Sequence, residues 1–237
     1  MSASDNKTEA VLSYHLKFDE GESFQYDFVN SESLHLQLPK DLPSEEWMKL
    51  DNFQCENCPL KPETHPECPV ARNIYVLLKD WGKIISYDKV DLLVVTPQRN
   101  VSAHTTAQKA LSSLLGLIMA TSDCPHTQFF RPMANFHLPL SSSEETSYRA
   151  LSSFFLMQFF QSRNEKDFSF DLEKFKDIYE NMHTVNVHIK QRLESAVIED
   201  AALNAVVILD LFAVSMPYYM DEELEKLRKL FGRDSNL

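Results

Sequence analysis

Three cysteines and one histidine lie within fourteen residues of this chain. They are Cys55, Cys58, His65 and Cys68, in the pattern Cys-x2-Cys-x6-His-x2-Cys. Zinc in structural sites is held tetrahedrally by thiolates and imidazoles, and a two-residue gap lets one tight turn supply two of the four ligands. The spacing therefore predicts a zinc knuckle with these four residues as its ligands.

The prolines around these ligands favour a structural role for the metal. Four of them punctuate the stretch, at Pro59, Pro62, Pro66 and Pro69. Proline removes a backbone donor and restricts φ, so this segment is neither a regular helix nor a central strand. A stiff loop loses less conformational entropy when it binds a metal, as a closed structural site requires.

Other chemistry is open to the same residues. An iron–sulfur cluster would use Cys55, Cys58 and Cys68 together with the distant Cys124. Three cysteines precede a proline, and such Cys-Pro pairs can ligate haem. The thiols could also be reduced and free of metal. Disulfides are not expected, because the chain is long enough to form a core without them and its first residues show no export segment.

A second group of chemically capable residues follows further along the chain. Cys124, His126, Arg131 and His137 lie in the proline-containing segment from Thr121 to Pro139. One cysteine and two histidines with an open fourth position would suit a catalytic metal. We expect these four side chains to converge on one side of the fold, near the helix beginning at Ser143.

The same residues also have structural interpretations. His126 could cap the preceding helix, and Arg131 could pair with Glu144 or Glu145. His104 is a further candidate partner of the group. Apolar helical patterns are interrupted by the polar residues Asn186, Asn204 and Asp210. These residues predict a hydrogen-bonded layer that sets the helix register. The alternative is a polar pocket in the core of the helical bundle, with Asp210 as an acid or base.

The elements that must position these groups follow from the apolar periodicity. Alternating patterns predict a meander over 11–17, 23–29 and 33–38, and a hairpin over 89–96 and 101–106. Helical spacing predicts helices over 70–81, 107–120, from the capping box at Ser142 to about 161, 171–195, 201–216 and 221–231. The predicted fold class is α+β: an N-terminal antiparallel β meander, a zinc knuckle, a β hairpin and a C-terminal helical bundle.

This pattern divides the chain into three segments. Residues 1–50 hold the meander and a linker, residues 51–72 the metal knuckle, and residues 73–237 the hairpin and the helical bundle.

Composition narrows the function classes. The formal net charge is −12, with no cluster of lysine and arginine, so a general electrostatic surface for nucleic acid is not expected. The four glycines form neither a dinucleotide-binding nor a P-loop motif. The apolar stretch from Ala201 to Met216 is too short to span a bilayer. We expect a cytoplasmic protein without a membrane span.

Several phrases of the sequence resemble a family of bacterial proteins of uncharacterised function. They are Cys55-x2-Cys58-Pro59-Leu60, His65-Pro66-x-Cys68-Pro69-Val70-Ala71, the run from Leu111 to Ser122, Cys124-Pro125-His126, and Phe130-Arg131-Pro132-Met133-Ala134-x-Phe136-His137-Leu138-Pro139. The resemblance extends from about residue 51 to the C-terminal helices. It implies no activity, but it directs attention to Cys124, His126, Arg131 and His137.

The sequence is compatible with two functions. The first is a zinc-stabilised cytoplasmic scaffold or interaction protein without catalytic activity, which binds a protein partner or self-associates. The second is a metal-dependent enzyme that uses the segment containing Cys124, His126 and His137.

Overall fold

The computed structural model of the protein describes residues 9–30, 32–81, 84–163, 169–196 and 200–232. One antiparallel sheet is formed by five strands, in the order β3-β2-β1-β4-β5. The strands are β1 (Ala10–Phe18), β2 (Ser23–Asn30), β3 (Leu34–Leu36), β4 (Lys89–Val95) and β5 (Asn100–Thr106). The α+β class is confirmed, with the sheet in the N-terminal half and a helical region after it.

The predicted meander and hairpin are both present, but they belong to a single sheet. β1 pairs with β4 in antiparallel register, from Ser13 opposite Val95 to Phe18 opposite Val90. Gly21, with φ of +103°, permits the turn between β1 and β2. The structure adds that β1, β2, β3 and β4 bury their apolar positions in one core, whereas β5 has no buried side chain.

One face of the sheet is buried and the other is open. The inward positions of β1 are Leu12, Tyr14, Leu16 and Phe18, all nearly inaccessible. Between them, Ser13, His15 and Lys17 alternate outward. This period of two is the expected signature of a sheet covered by helices on a single side.

The described residues also form six α-helices. They are α1 (Pro69–Trp81), α2 (Ala107–Ala120), α3 (Arg131–Asn135), α4 (Ser143–Ser162), α5 (Glu173–Ser195) and α6 (Asp200–Arg228). Helices α5 and α6 pack together, and α6 also packs on α2. One hydrophobic cluster of buried residues extends from Leu12 in β1 to Leu227 in α6. The sheet, the helices and the loop at residues 55–68, called the cysteine-rich loop below, therefore share a core.

The predicted start of α4 is confirmed in detail. The Ser142 hydroxyl accepts from the Glu145 backbone N–H at 3.1 Å, and the Glu145 carboxylate accepts from the Ser142 backbone N–H at 2.8 Å. This reciprocal capping box satisfies two backbone donors that would otherwise lack helical partners.

The prediction of two C-terminal helices is wrong. A single helix, α6, passes through Pro217 and ends at Arg228, followed by a 3-10 turn at Lys229–Phe231. A proline inside a helix removes one backbone hydrogen bond. Met216 and Met220 are buried on either side of it, so tertiary packing holds the helix together across the proline.

The segment from Thr121 to Pro139 is also more regular than predicted. It contains a 3-10 helix at Pro125–Phe130 followed directly by α3. Pro125 and Pro132 each lie in the first turn of their helix, where the missing N–H has no intrahelical partner to lose. The prolines therefore begin short helices here and do not prevent them.

Candidate metal centre

The cysteine-rich loop is held by its own backbone and by a short strand-like contact. The Cys58 N–H donates to the Cys55 carbonyl at 3.0 Å, which closes a tight turn around the first two thiols. The Cys68 N–H donates to the Met48 carbonyl at 2.8 Å, immediately before α1 begins. Lys49 and Glu67 form an isolated antiparallel bridge beside it. These contacts hold Cys68 beside the 3-10 turn at Glu46–Met48.

His65 has a different environment from the three cysteines. Its side chain is exposed, and its Nδ1 lies 3.0 Å from the Thr64 hydroxyl. By contrast, Cys68 is buried, with 7% of its surface exposed. The imidazole of the sequence-predicted ligand therefore lies on the protein surface in this structure, hydrogen-bonded to its neighbour.

Cys124 joins the three thiols from a distant part of the sequence. Burial raises the pKa of the Cys55 thiol to about 12, and the neighbouring thiols of Cys68, Cys124 and Cys58 add to this effect. Burial also raises the pKa of Cys124 to about 11, with Cys68 and Cys58 again contributing. The structure thus gathers all four cysteines of the chain into one region, and all four are free of disulfides.

A buried arginine adjoins this group of thiols. Arg192 in α5 is 1% exposed, and its guanidinium donates to the carbonyls of Trp47, Lys49 and Leu50 at 2.6–2.9 Å. Its positive charge opposes the rise in the Cys55 pKa. Within the described part of the chain no carboxylate pairs with it, and its Nε has no hydrogen-bond partner.

Arg192 is not distinguished in the sequence by its residue type, because charged residues are common on helix surfaces. The available signal was its position in the apolar stripe of α5, where Val185, Ile189 and Leu193 are buried. A charge at such a position faces the interior and needs a specific partner.

The segment after α2 is attached to the cysteine-rich loop by a side chain. His126 Nε2 lies 2.7 Å from the carbonyl oxygen of Asn57, the residue between Cys55 and Cys58. The Asn57 amide in turn donates to the Asn181 side chain in α5 at 2.7 Å. His126 therefore contacts the loop and does not cap α2.

The thiols do not form a metal coordination site in this structure. Among the described residues, no group of three or more histidine, cysteine, aspartate or glutamate side chains is arranged to hold a metal ion. The predicted zinc knuckle is accordingly not shown as a formed site. The donor set fits zinc chemically, since thiolate is its preferred ligand in structural sites.

The second group of predicted residues is not brought together. Cys124 and His126 face the cysteine-rich loop, whereas Arg131 forms an ion pair with the exposed Asp123 at 3.2 Å and does not contact Glu144 or Glu145. His137 hydrogen-bonds to Tyr14 of the sheet. His104, the further candidate, pairs with Asp91 at 2.9 Å on the open sheet face. The expected convergence near the start of α4 is not observed.

His137 ends a chain of hydrogen bonds beneath the sheet. The Leu140 N–H donates to the Ser113 hydroxyl at 3.1 Å, and that hydroxyl lies 3.0 Å from the Tyr14 hydroxyl, which contacts His137 Nε2. Burial lowers the pKa of His137 to about 3, with Arg149 contributing, and burial raises the pKa of Tyr14. The buried imidazole is therefore neutral, and its Nε2 shares a hydrogen bond with the Tyr14 hydroxyl.

This burial predicts a pH dependence of stability. In the unfolded chain the imidazole titrates near about 6.5. Between that pH and about 3 the unfolded state binds more protons than the folded state. The free energy of unfolding therefore decreases as the pH is lowered, by up to about 1.4 kcal/mol per pH unit. We expect His137→Gln to remove this contribution, so that wild type loses about 2 kcal/mol more than the variant between roughly pH 7 and pH 5 in urea titrations. Equal losses in the two proteins would contradict this.

The polar residues in the apolar helices have structural partners. Asp210 accepts hydrogen bonds from His183 at 2.8 Å and from Asn186 at 3.4 Å, which links α6 to α5. The Asn204 amide donates to the Ser86 hydroxyl at 2.7 Å. These contacts agree with the prediction of a layer that sets helix register.

Two helices leave large apolar side chains on the surface. On α4 these include Leu156, Phe159 and Phe160, and on α6 they include Leu211, Val214 and Tyr218. The helical stretch Ala201–Phe231 is long and apolar enough to cross a membrane by length and composition, with 33% of its most apolar window buried. Core helices pass the same test, and α6 packs against α5 and α2. The predicted end at Met216 is wrong, because α6 continues to Arg228, so the helix is not too short to span a bilayer.

A shallow depression of about 860 Å³ lies on the open face of the sheet. Its polar lining includes His15, Lys17, Asp91 and His104, and none of the eight sequence-predicted site residues takes part. The cysteines are thus separate from this cavity.

The model of the family described as "Domain of unknown function (DUF6901)" matches residues 12–232. That range covers the sheet, the cysteine-rich loop and all six helices, so the chain belongs to this family. No curated protein and no solved structure matches the chain.

Proposed function

We propose that this protein is a non-catalytic interaction scaffold stabilised by one zinc ion at the cysteine-rich loop. The zinc holds the cysteine-rich loop, which precedes α1, against the helical region. The domain stabilised in this way binds a protein partner or a second copy of the chain. Four free thiols suit a reducing compartment, so we place the protein in the cytoplasm.

The observation that carries this proposal is the burial of the thiols beside Arg192. Cys68 and Cys124 are each 7% exposed, and Arg192 is covered almost completely. Structural zinc sites are closed, whereas catalytic sites keep a position open for water or substrate. A covered group of thiols supports the structural role.

The apolar surfaces of α4 and α6 support the interaction role. Exposed aromatic and aliphatic side chains recur along both helices, which is a feature of surfaces that bind proteins. We propose self-association or partner binding through them. The enzyme alternative loses its main support, because His126 and His137 have separate hydrogen-bond partners in different parts of the fold.

Elemental analysis of the purified protein tests the proposal. We expect about one zinc per chain in wild type and a large loss of zinc in the Cys55→Ala/Cys58→Ala double variant. His104→Gln/Asp91→Asn is the matched control, because it removes an imidazole and a carboxylate from the open sheet face; its zinc content should equal that of wild type. Equal zinc in wild type and the cysteine variant, or iron with acid-labile sulfide in place of zinc, would overturn the proposal.

A further inference from the structure

The two edges of the sheet differ in how they are protected. β3 closes one edge with three residues, and its two leucines are buried. β5 forms the other edge with seven residues and, among the described residues, pairs only with β4. An exposed edge strand offers its backbone N–H and C=O groups to any other strand, and proteins shield such edges with short strands, lysine, proline or bulges. β3 is short, whereas β5 contains no lysine or proline and follows β4 without a bulge.

The side of β5 that faces the helices is only half covered. Val101, Ala103 and Thr105 lie on this side and are half-buried. The residues directly opposite them on β4 are at most 2% exposed. The helical layer therefore covers β4 and stops short of β5. A further strand beside β5 would bond to its free backbone groups and shield this row of small side chains from water.

β5 also lacks the charges that keep two copies of this chain apart. The net charge of the chain is −12, so two copies repel each other as they approach. Residues 100–106 contain no aspartate, glutamate, lysine or arginine. In a two-fold contact the same surface of both copies meets, so a charged strand would repel its own copy. The neutral β5 avoids this repulsion.

Antiparallel pairing centred on Ala103 uses the whole strand. Ala103 then lies opposite Ala103 of the second copy, and all seven residues find a partner. On the side towards the helices, Val101 lies opposite Thr105 of the second copy, and β-branched residues pack well across neighbouring strands. On the open face, His104 lies opposite Ser102 of the second copy. His104 bonds to Asp91 through Nδ1, and its Nε2 can bond to that serine hydroxyl.

We infer that two copies of this chain associate through β5, in antiparallel register about Ala103, so that their five-stranded sheets join into one. The inference is independent of the zinc site. It leaves the exposed apolar side chains of α4 and α6 available to a protein partner.

Sedimentation velocity of the purified full chain tests this association. We expect a monomer–dimer equilibrium with a Kd on the order of micromolar, since a contact confined to one edge strand is at the small end of interface sizes. Ser102→Lys/His104→Lys places lysine opposite lysine at two pairs of positions, so it should raise the Kd at least about 10-fold. Ser23→Lys/Gln25→Lys is the matched control, because it adds two lysines to exposed positions of β2 on the same sheet face; it should dimerise like wild type.

Two results of this experiment would overturn the inference. One is a wild type that stays monomeric up to about 100 μM. The other is a dimer whose affinity the β5 variant leaves unchanged, which would place self-association on another surface and leave the proposed function intact. Neither result alters the zinc content, so failure of the zinc proposal is measured separately.

Cysteine cross-linking tests the register without relying on the lysine variants. Directly opposite Cα atoms of an antiparallel pair are about 4.5–5.5 Å apart, within the range of about 4.4–6.8 Å found in disulfides. Ala103→Cys should therefore form an intermolecular disulfide in air, identified by mass spectrometry of the linked peptides. Val101→Cys is the control and should not link, because Val101 of the second copy lies opposite Thr105, roughly 13 Å along the strand. Absence of the Ala103→Cys link in a dimeric solution, or equal linkage of both variants, would contradict the pairing.

Discussion

Removing zinc from the purified protein is expected to lower its melting temperature by more than about 10 °C. Structural zinc contributes on the order of 10 kcal/mol of apparent binding free energy to folding, and each kcal/mol shifts the melting temperature by about 2–4 °C in a chain of this size. The loss should be large here because Cys68 immediately precedes α1, whose Val70, Ala71 and Ile74 are buried in the core. Without the metal, the buried thiol of Cys68 and the half-buried thiols of Cys55 and Cys58 lose the ion that would hold them together.

Thermal unfolding with and without a strong chelator measures this effect, with zinc removal verified by elemental analysis. The Cys55→Ala/Cys58→Ala variant is the control, because it should melt at a lower temperature and show no further change with chelator. Restoring zinc to the wild type should restore its melting temperature. An unchanged melting curve after verified removal would show that the metal has no structural role.

Replacing Arg192 with methionine is expected to lower the free energy of unfolding by about 3–5 kcal/mol. The side chain would keep much of its length, but the carbonyls of Trp47, Lys49 and Leu50 would lose their donor, and the bonds to Trp47 and Leu50 are buried. Each buried polar group left without a partner costs about 1–3 kcal/mol. The stretch from Trp47 to Leu50 also pairs with the residues before Cys68, so the variant should bind zinc more weakly as well.

Urea titration of three variants separates charge from geometry at this position. Arg192→Lys keeps the charge but lacks the planar fork that reaches three carbonyls, so we expect an intermediate loss. Arg131→Met is the control, since its partner Asp123 is almost fully exposed and surface ion pairs contribute about 0–1 kcal/mol. A loss below about 1 kcal/mol in Arg192→Met would mean that water or rearranged backbone replaces the guanidinium.

Local features of this protein were accessible from the sequence because they depend on neighbouring residues. A period of two marked β1, β2 and the hairpin strands, and a period near 3.6 marked α1 and α2, since side chains that share a face recur at those intervals. The capping box at Ser142 was readable for the same reason: donor and acceptor are three residues apart. The Cys-x2-Cys spacing is local in the same way, and the zinc site that it predicts stays a prediction.

The tertiary structure decided the features that join distant residues. Three features depend on contacts between residues that are many tens of positions apart. They are the pairing of β1 with β4, the continuation of α6 through Pro217, and the position of Cys124 and Arg192 near the cysteine-rich loop. No local pattern distinguishes Cys124 as a partner of Cys55 from Cys124 as a partner of His137. Burial resolves the choice, because the fold covers the thiols of one group together and gives each histidine a separate hydrogen-bond partner.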